Sequence, residues 1–280
     1  MKVLVTGGAG FVGSHLCARL LDEGHEVTSL DNYFTGTQEN EIEGVNYIVG
    51  STIDIHNITF KPDIIYHLGE YSRVEQSFDD VQLVHEYNTN GTFAVLEFAR
   101  KRKCKLVYSG SSTKFGDATS PYAFTKAKNT ELVVHYGDWF NLDYAITYFY
   151  NVYGPREIDD GKYATLIAKY KKAMRENKEL PVVAPGTQKR NFTHIEDIIN
   201  ALILIGERGH GDEYGIGSDD SFSILEVAKL FKGNIVMLPE RKGNRMSGEV
   251  VTNKTKALGW KATKKLEDYI NESNWRICIF

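Results

Sequence analysis

Tyr122 and Lys126 stand four residues apart in Ser120-Pro121-Tyr122-Ala123-Phe124-Thr125-Lys126. On a helix that spacing puts both side chains on one face. A free phenol ionises near pH ~10 and is a poor base at neutral pH. An ammonium beside it, together with a positively charged hydride acceptor, stabilises the phenolate. Tyr122 could then take a hydroxyl proton while the attached carbon gives up hydride. Upstream, Ser109-Gly110-Ser111-Ser112-Thr113 closes an apolar run with a series of hydroxyls, and a hydroxyl there could hydrogen-bond the reacting oxygen.

A second group of residues could hold the hydride acceptor. Gly7, Gly10 and Gly13 recur at even spacing in Thr6-Gly-Gly-Ala-Gly-Phe-Val-Gly13, between the apolar run Lys2 to Val5 and a helix-like segment. Such a loop lets backbone N–H groups approach a pyrophosphate, and the helix N-terminus adds partial positive charge. Gly7 would allow the tight turn, Gly10 the close approach and Gly13 the helix packing. Asp31 follows at the end of the next apolar run, about 20 residues on, where an acid would bond the adenosine ribose hydroxyls. Its charge would also repel a 2′-phosphate, which favours NAD over NADP.

These residues need a frame that brings strand ends together. Apolar runs at Lys2 to Val5, Glu26 to Leu30, Val45 to Val49, Ile64 to Leu68, Lys105 to Ser109 and Ala145 to Phe149 alternate with helical patterns at Val12 to Glu23, Gln82 to Lys101 and Tyr122 to Trp139. That alternation predicts an α/β fold, a doubly wound parallel sheet covered by helices on both faces. Ligands then bind in the crevice at the carboxyl ends of the strands. After Asn151 the pattern changes to short mixed segments with expected loops at Ala184 to Lys189 and Gly206 to Asp212. The division expected is a nucleotide-binding domain over 1–152, with 188–212 returning to it, and a smaller substrate-binding lobe over 153–280.

Composition narrows the partners. With 280 residues, 42% apolar and 25% charged, the chain is long enough for a large core, and its net charge of −4 gives no reason to expect nucleic acid. The basic runs Lys101 to Lys103 and Lys169 to Lys172 read as solvated surface. Cys17, Cys104 and Cys278 form neither a disulfide framework nor a zinc pattern, which fits a reducing, cytoplasmic setting. The N-terminus runs directly into a strand, with no secretory signal expected. No apolar run approaches the roughly 20 residues of a membrane span.

The spacing of the glycine loop and the Tyr-x-x-x-Lys motif resemble the extended short-chain dehydrogenase/reductase superfamily, and further segments resemble its NAD-dependent nucleotide-sugar epimerase/dehydratase branch, the UDP-glucose 4-epimerase-like enzymes. His67-Leu68-Gly69-Glu70 is similar to that family's H-L-A-A, Asn88 to Thr92 to its N-x-x-G-T, and Tyr150 to Arg156 to F-N-V-Y-G-P-R. Arg190 to Asp197 is similar to R-D-F-x-H-V-x-D, Arg241 to Asn244 to R-x-G-D, and Leu258-Gly259-Trp260 to the closing L-G-W. The resemblance covers nearly the whole chain and implies a Rossmann-type fold. It implies Ser111, Tyr122 and Lys126 as the catalytic set, with Lys126 also on the nicotinamide ribose. It further implies NAD contacts from Gly7, Gly10, Phe11, Val12, Gly13, Asp31, Asn32, Ser51, Thr52, Leu68, Gly69, Asn88, Ser109, Tyr122, Lys126 and Phe149. The nucleotide-sugar substrate falls to Glu70, Ser111, Asn151, Arg190 and Arg241. Guanidinium forks suit its phosphate oxygens. No metal is implied. A homodimer is, because the equivalent helices pair between subunits in relatives, and the helices at Gln82 to Lys101 and Tyr122 to Trp139 carry apolar residues beyond one buried stripe.

The chain departs from the pattern at several places. Ser112 and Thr113 stand where dehydratases and decarboxylases carry acids, so elimination and decarboxylation are disfavoured. What remains is oxidation and reduction at one sugar carbon, most simply 4-epimerisation through a 4-keto sugar. A 4-dehydrogenase or 4-keto reductase with net redox turnover is the alternative, and a non-catalytic NAD-binding regulator on the same fold is a third. Tyr148 replaces a usual arginine, Ser51-Thr52 the usual adenine-facing Asp-Ile, and Asn191 and Asn244 two aspartates. The connection from Gly116 to Ser120 is short.

Overall fold

The computed structural model describes residues 1–112, 119–240 and 250–272. The first half alternates strand and helix: β1 (Lys2–Thr6), α1 (Phe11–Asp22), β2 (Glu26–Asp31), β3 (Asn46–Val49), β4 (Ile64–His67), α2 (Val81–Val84), α3 (Gly91–Arg102), β5 (Lys105–Ser111), α4 (Pro121–Phe140) and β6 (Tyr144–Phe149). The second half holds β7 (Val152–Tyr153), α5 (Leu166–Arg175), β8 (Leu180–Val183), β9 (Lys189–Asn191), β10 (Thr193–His194), α6 (Ile195–Arg208), β11 (Gly211–Ile216), β12 (Ser221–Ser223), α7 (Ile224–Phe231), β13 (Ile235–Leu238), α8 (Asn253–Ala257) and α9 (Leu266–Glu272).

Seven strands form one parallel sheet in the order β11-β6-β5-β4-β1-β2-β3. The period-2 alternation of each strand feeds two cores. Val3 and Val5 face the layer of α1 and α6, where Leu16, Leu20, Ile198, Leu202 and Ile205 pack. Leu4 points the other way, to Val95, Leu96, Ala99, Val133 and Tyr136 of α3 and α4. A third core, with Tyr170, Val182, Val227 and Phe231, holds the short elements of the C-terminal part. The doubly wound sheet expected from the sequence is the sheet observed.

Local signals account for the helix carrying the tyrosine. Ser120 caps α4 by accepting from the Ala123 N–H at 3.1 Å, Pro121 occupies the first turn, and Asn141 ends the helix in the left-handed region. The predicted helix over Gln82 to Lys101 is instead three pieces, with a π turn at His85–Asn90 between α2 and α3. The segment Gly206 to Asp212, expected as a loop, is the end of α6 and the start of β11. Gly206 lies inside α6 where Tyr66 leaves no room for a side chain: a Cβ there would lie 1.9 Å from the Tyr66 hydroxyl oxygen.

The later motifs act as fasteners. Asp197 accepts from the Thr263 N–H and hydroxyl and from the Lys264 N–H, while Trp260 Nε1 donates to its backbone carbonyl at 2.9 Å. Tyr148 is fully buried and donates to Asp212 at 2.5 Å, joining β6 to β11. Asn191 donates from Nδ2 to the Ser218 carbonyl and accepts through its own carbonyl from Asn151.

Candidate active site

A cleft of about 750 Å³ runs along the carboxyl ends of the sheet strands. The glycine loop forms one end. Gly7 has φ +77°, and a Cβ there would lie 2.9 Å from the Gly69 backbone; a Cβ on Gly13 would lie 2.0 Å from the Gly7 carbonyl oxygen. These contacts draw α1 against β1 and β4. A Cβ on Gly10 would meet only the Gly7 carbonyl oxygen, at 3.2 Å, and its other side opens to the cleft. Gly10 caps α1 without a side-chain hydrogen bond, so the first N–H groups of the helix remain available to an anion. This cradle fits a dinucleotide pyrophosphate.

Asp31 ends β2 in the same cleft. It accepts the Ala9 N–H at 2.9 Å and the Tyr33 N–H at 2.8 Å on separate oxygens. Burial raises its pKa against the lowering effect of those two bonds. Each oxygen keeps acceptor capacity for a ribose hydroxyl. Phe11, Val12, Asn32, Thr52, Leu68, Gly69, Ser109 and Phe149 line the cleft as well.

Two residues expected on the cofactor are not among those lining the cleft. Ser51 caps a 3₁₀ turn, its hydroxyl accepting from the Ile53 N–H at 3.3 Å, and is outside the cleft lining. Asn88 sits in the π turn and is fully buried. Its amide accepts from the Tyr71 N–H and donates to the Tyr71 carbonyl and the Thr125 hydroxyl. It thus pins the segment after β4 to α4 instead of facing the cleft.

Ser111, at the end of β5, and Tyr122 and Lys126, on one face of α4, all line the same cleft as the glycine loop. Asn151, with φ +38°, and Arg190 line it from the C-terminal part. Arg241 lies outside the described residues, as do Thr113 and most of the connection from Gly116 to Ser120.

Glu70 was expected on the substrate. It belongs to the cleft wall, but its side chain is only 2% exposed and turns inward to an ion pair with Lys126. Its other oxygen accepts from the Thr92 hydroxyl at 2.6 Å, Asn129 Nδ2 at 2.8 Å and the Tyr108 hydroxyl at 3.2 Å. Burial pushes the Glu70 carboxyl up, but Lys126, His67 and the bonds from Lys126 and Thr92 outweigh it, and the pKa lies below the usual carboxylate range. Behind it, His67 bonds to Thr6 at 2.7 Å and Thr92 at 3.0 Å. Burial lowers its pKa to about 4, so it is neutral at pH 7. The Thr92 proton goes to Glu70, which leaves His67 Nε2 as the donor to Thr92 and assigns the tautomer.

Arg73 and Glu157 also line the cleft, and neither was singled out in the sequence. Arg73 donates to the Tyr163 carbonyl at 2.8 and 2.6 Å. Burial lowers its pKa. Burial raises Glu157 to about 7, against hydrogen bonds from Thr165 and the Gly154 N–H. The only sequence signal was their position after β4 and after the Asn151 turn.

A parallel sheet with a glycine loop at its first crossover and a Tyr-x-x-x-Lys helix beside the same cleft is the architecture of the extended short-chain dehydrogenase/reductase enzymes. The chain belongs to the NAD dependent epimerase/dehydratase family, whose model matches residues 3–217, and its cofactor is NAD. It is 32% identical to UDP-N-acetyl-alpha-D-glucosaminuronate decarboxylase of Bacillus cytotoxicus over 81% of this chain and 78% of that protein. UDP-glucose 4-epimerase of Thermotoga maritima, solved with UDP-glucose, superposes with a TM-score of 0.93 at 25% identity, covering 99% of this chain and 98% of that one. UDP-glucuronic acid 4-epimerase of Bacillus cereus, solved with UDP-glucuronic acid and NAD, gives 0.88 at 26% identity over 99% of both chains. Among the described residues no helix is long and apolar enough to cross a membrane.

Proposed function

We propose that the protein is a nucleotide-sugar 4-epimerase working through a 4-keto sugar. The observation that carries this reading is the convergence of Ser111, Tyr122 and Lys126 on the cleft that holds the glycine cradle. When bound, NAD supplies the site that accepts hydride and returns it. Tyr122 takes the proton from the sugar 4-hydroxyl and returns it to the same oxygen once the 4-keto sugar has turned over in the cleft, so that C4 is reduced on its other face. Ser111 hydrogen-bonds the same oxygen, and Lys126 holds the nicotinamide ribose. Asn151 and Arg190, with Arg241, hold the diphosphate, where a guanidinium is the fitting partner.

The similarity to a decarboxylase calls for a decision between reactions. Ser112 and Thr113 offer no carboxyl group just after the catalytic hydroxyl, and this supports epimerisation over loss of water or carbon dioxide. Incubation with a panel of UDP-, GDP-, CDP-, ADP- and dTDP-sugars should yield a product of unchanged mass. In D₂O it should carry no solvent deuterium on carbon. Stoichiometric NADH would instead support the dehydrogenase alternative and refute the epimerase.

A homodimer is part of the same reading. Phe93 is 53% exposed on α3, and Phe124, Trp139 and Phe140 are 46%, 59% and 48% exposed on α4. Exposed large apolar side chains on neighbouring helices mark an association surface. Light scattering should return about twice the chain mass of 31.6 kDa. A single-chain mass at micromolar concentration would refute the dimer.

A further inference from the structure

Lys126 makes bonds beyond those its expected role requires. Of the three N–H bonds of its ammonium, one goes to Glu70 and one to the Ser109 carbonyl at 2.5 Å. The ammonium also lies 5.1 Å from the centre of the Tyr108 ring. Both charged side chains are dry: Lys126 is 5% exposed and Glu70 2%. The family pattern H-L-A-A carries alanine where this chain has Glu70. Four donors converge on the carboxylate, from Lys126, Thr92, Asn129 and Tyr108, which fixes it as an anion. Its ion-pair partner is Lys126.

The oxidised and reduced nicotinamide rings differ by one positive charge. An unneutralised ammonium in a dry site disfavours the oxidised ring, because Coulomb repulsion is weakly screened there. A carboxylate fixed on that ammonium cancels the repulsion. We infer that Glu70 is a positioning residue that holds and neutralises Lys126 and thereby biases the cofactor site toward oxidised nicotinamide. An enzyme whose cycle must begin and end with the oxidised cofactor gains from such a bias. The inference rests on the reading of Lys126 as the nicotinamide-ribose ligand.

The test uses binding and no sugar. Dissociation constants for NAD⁺ and NADH are measured by calorimetry on the full chain, stripped of cofactor, for the native protein, Glu70→Gln and Glu70→Ala. The glutamine keeps the shape and one acceptor for Lys126. The alanine supplies the residue of the family pattern, should the glutamine fail to fold. In either variant the preference for NAD⁺ over NADH should fall by about tenfold, the size of shift one adjacent charge imposes on an equilibrium that changes charge by one. A role in packing alone would weaken both forms by the same factor. Equal weakening, no change, or a shift toward NAD⁺ overturns the inference. A protein that shows the shift but epimerises no sugar keeps this inference and loses the function proposed above. Epimerisation with an unmoved preference does the reverse.

Discussion

The Tyr122→Phe protein is expected to lose turnover by about 10²–10⁴-fold, the usual contribution of one positioned acid–base group, while still binding NAD. The substitution removes one oxygen and leaves the ring that lines the cleft. The cap on α4 is made by Ser120 and Pro121, and Lys126 keeps both Glu70 and the Ser109 carbonyl. Nothing that shapes the cofactor cradle is touched. Steady-state rates and NAD titration on the same preparation check the split. Turnover within a few-fold of the native protein would remove Tyr122 from the mechanism.

Lys126→Met should be the most damaging single change to stability. It leaves Glu70, 2% exposed, without its cation. Removing one partner of a buried pair costs about 3–5 kcal/mol, whereas replacing both with apolar groups is often near neutral. Urea midpoints at pH 7 should therefore fall sharply for the single variant and recover in the double variant Glu70→Ala/Lys126→Met. Equal midpoints for Lys126→Met and the native chain would contradict the pairing. In the native protein the Glu70 carboxyl lies below its ordinary pKa. Its contribution is then fully present above the unfolded carboxylate value and is lost as pH falls through the folded one. In Lys126→Met the sign reverses: the unpaired carboxylate resists ionising, so the deficit should shrink as pH is lowered.

Strand alternation and the glycine loop were readable because they are local. Val3, Leu4 and Val5 already show the two faces of β1, and Ser120-Pro121 announces the start of α4. What escaped reading depends on contacts between distant residues. Gly206 looks like a loop residue until Tyr66 is seen to fill the space beside it. Asn88 matches a cofactor motif by spacing, yet the π turn directs its amide to Tyr71 and Thr125. Glu70 and Lys126 are far apart in the chain, and no local pattern announces their pairing. Arg73 and Glu157 reach the cleft on irregular segments that carry no periodic signal.

The reaction itself is tested most directly with a nucleotide sugar deuterated at C4. If Tyr122 exchanges the proton while the hydrogen on carbon travels to the cofactor and back, the product has inverted configuration at C4 and keeps its deuterium there. Product NMR and mass should show complete retention, with no NADH accumulating. Loss of the label to the medium or to released cofactor, or a product lighter by water or carbon dioxide, would contradict the epimerase account.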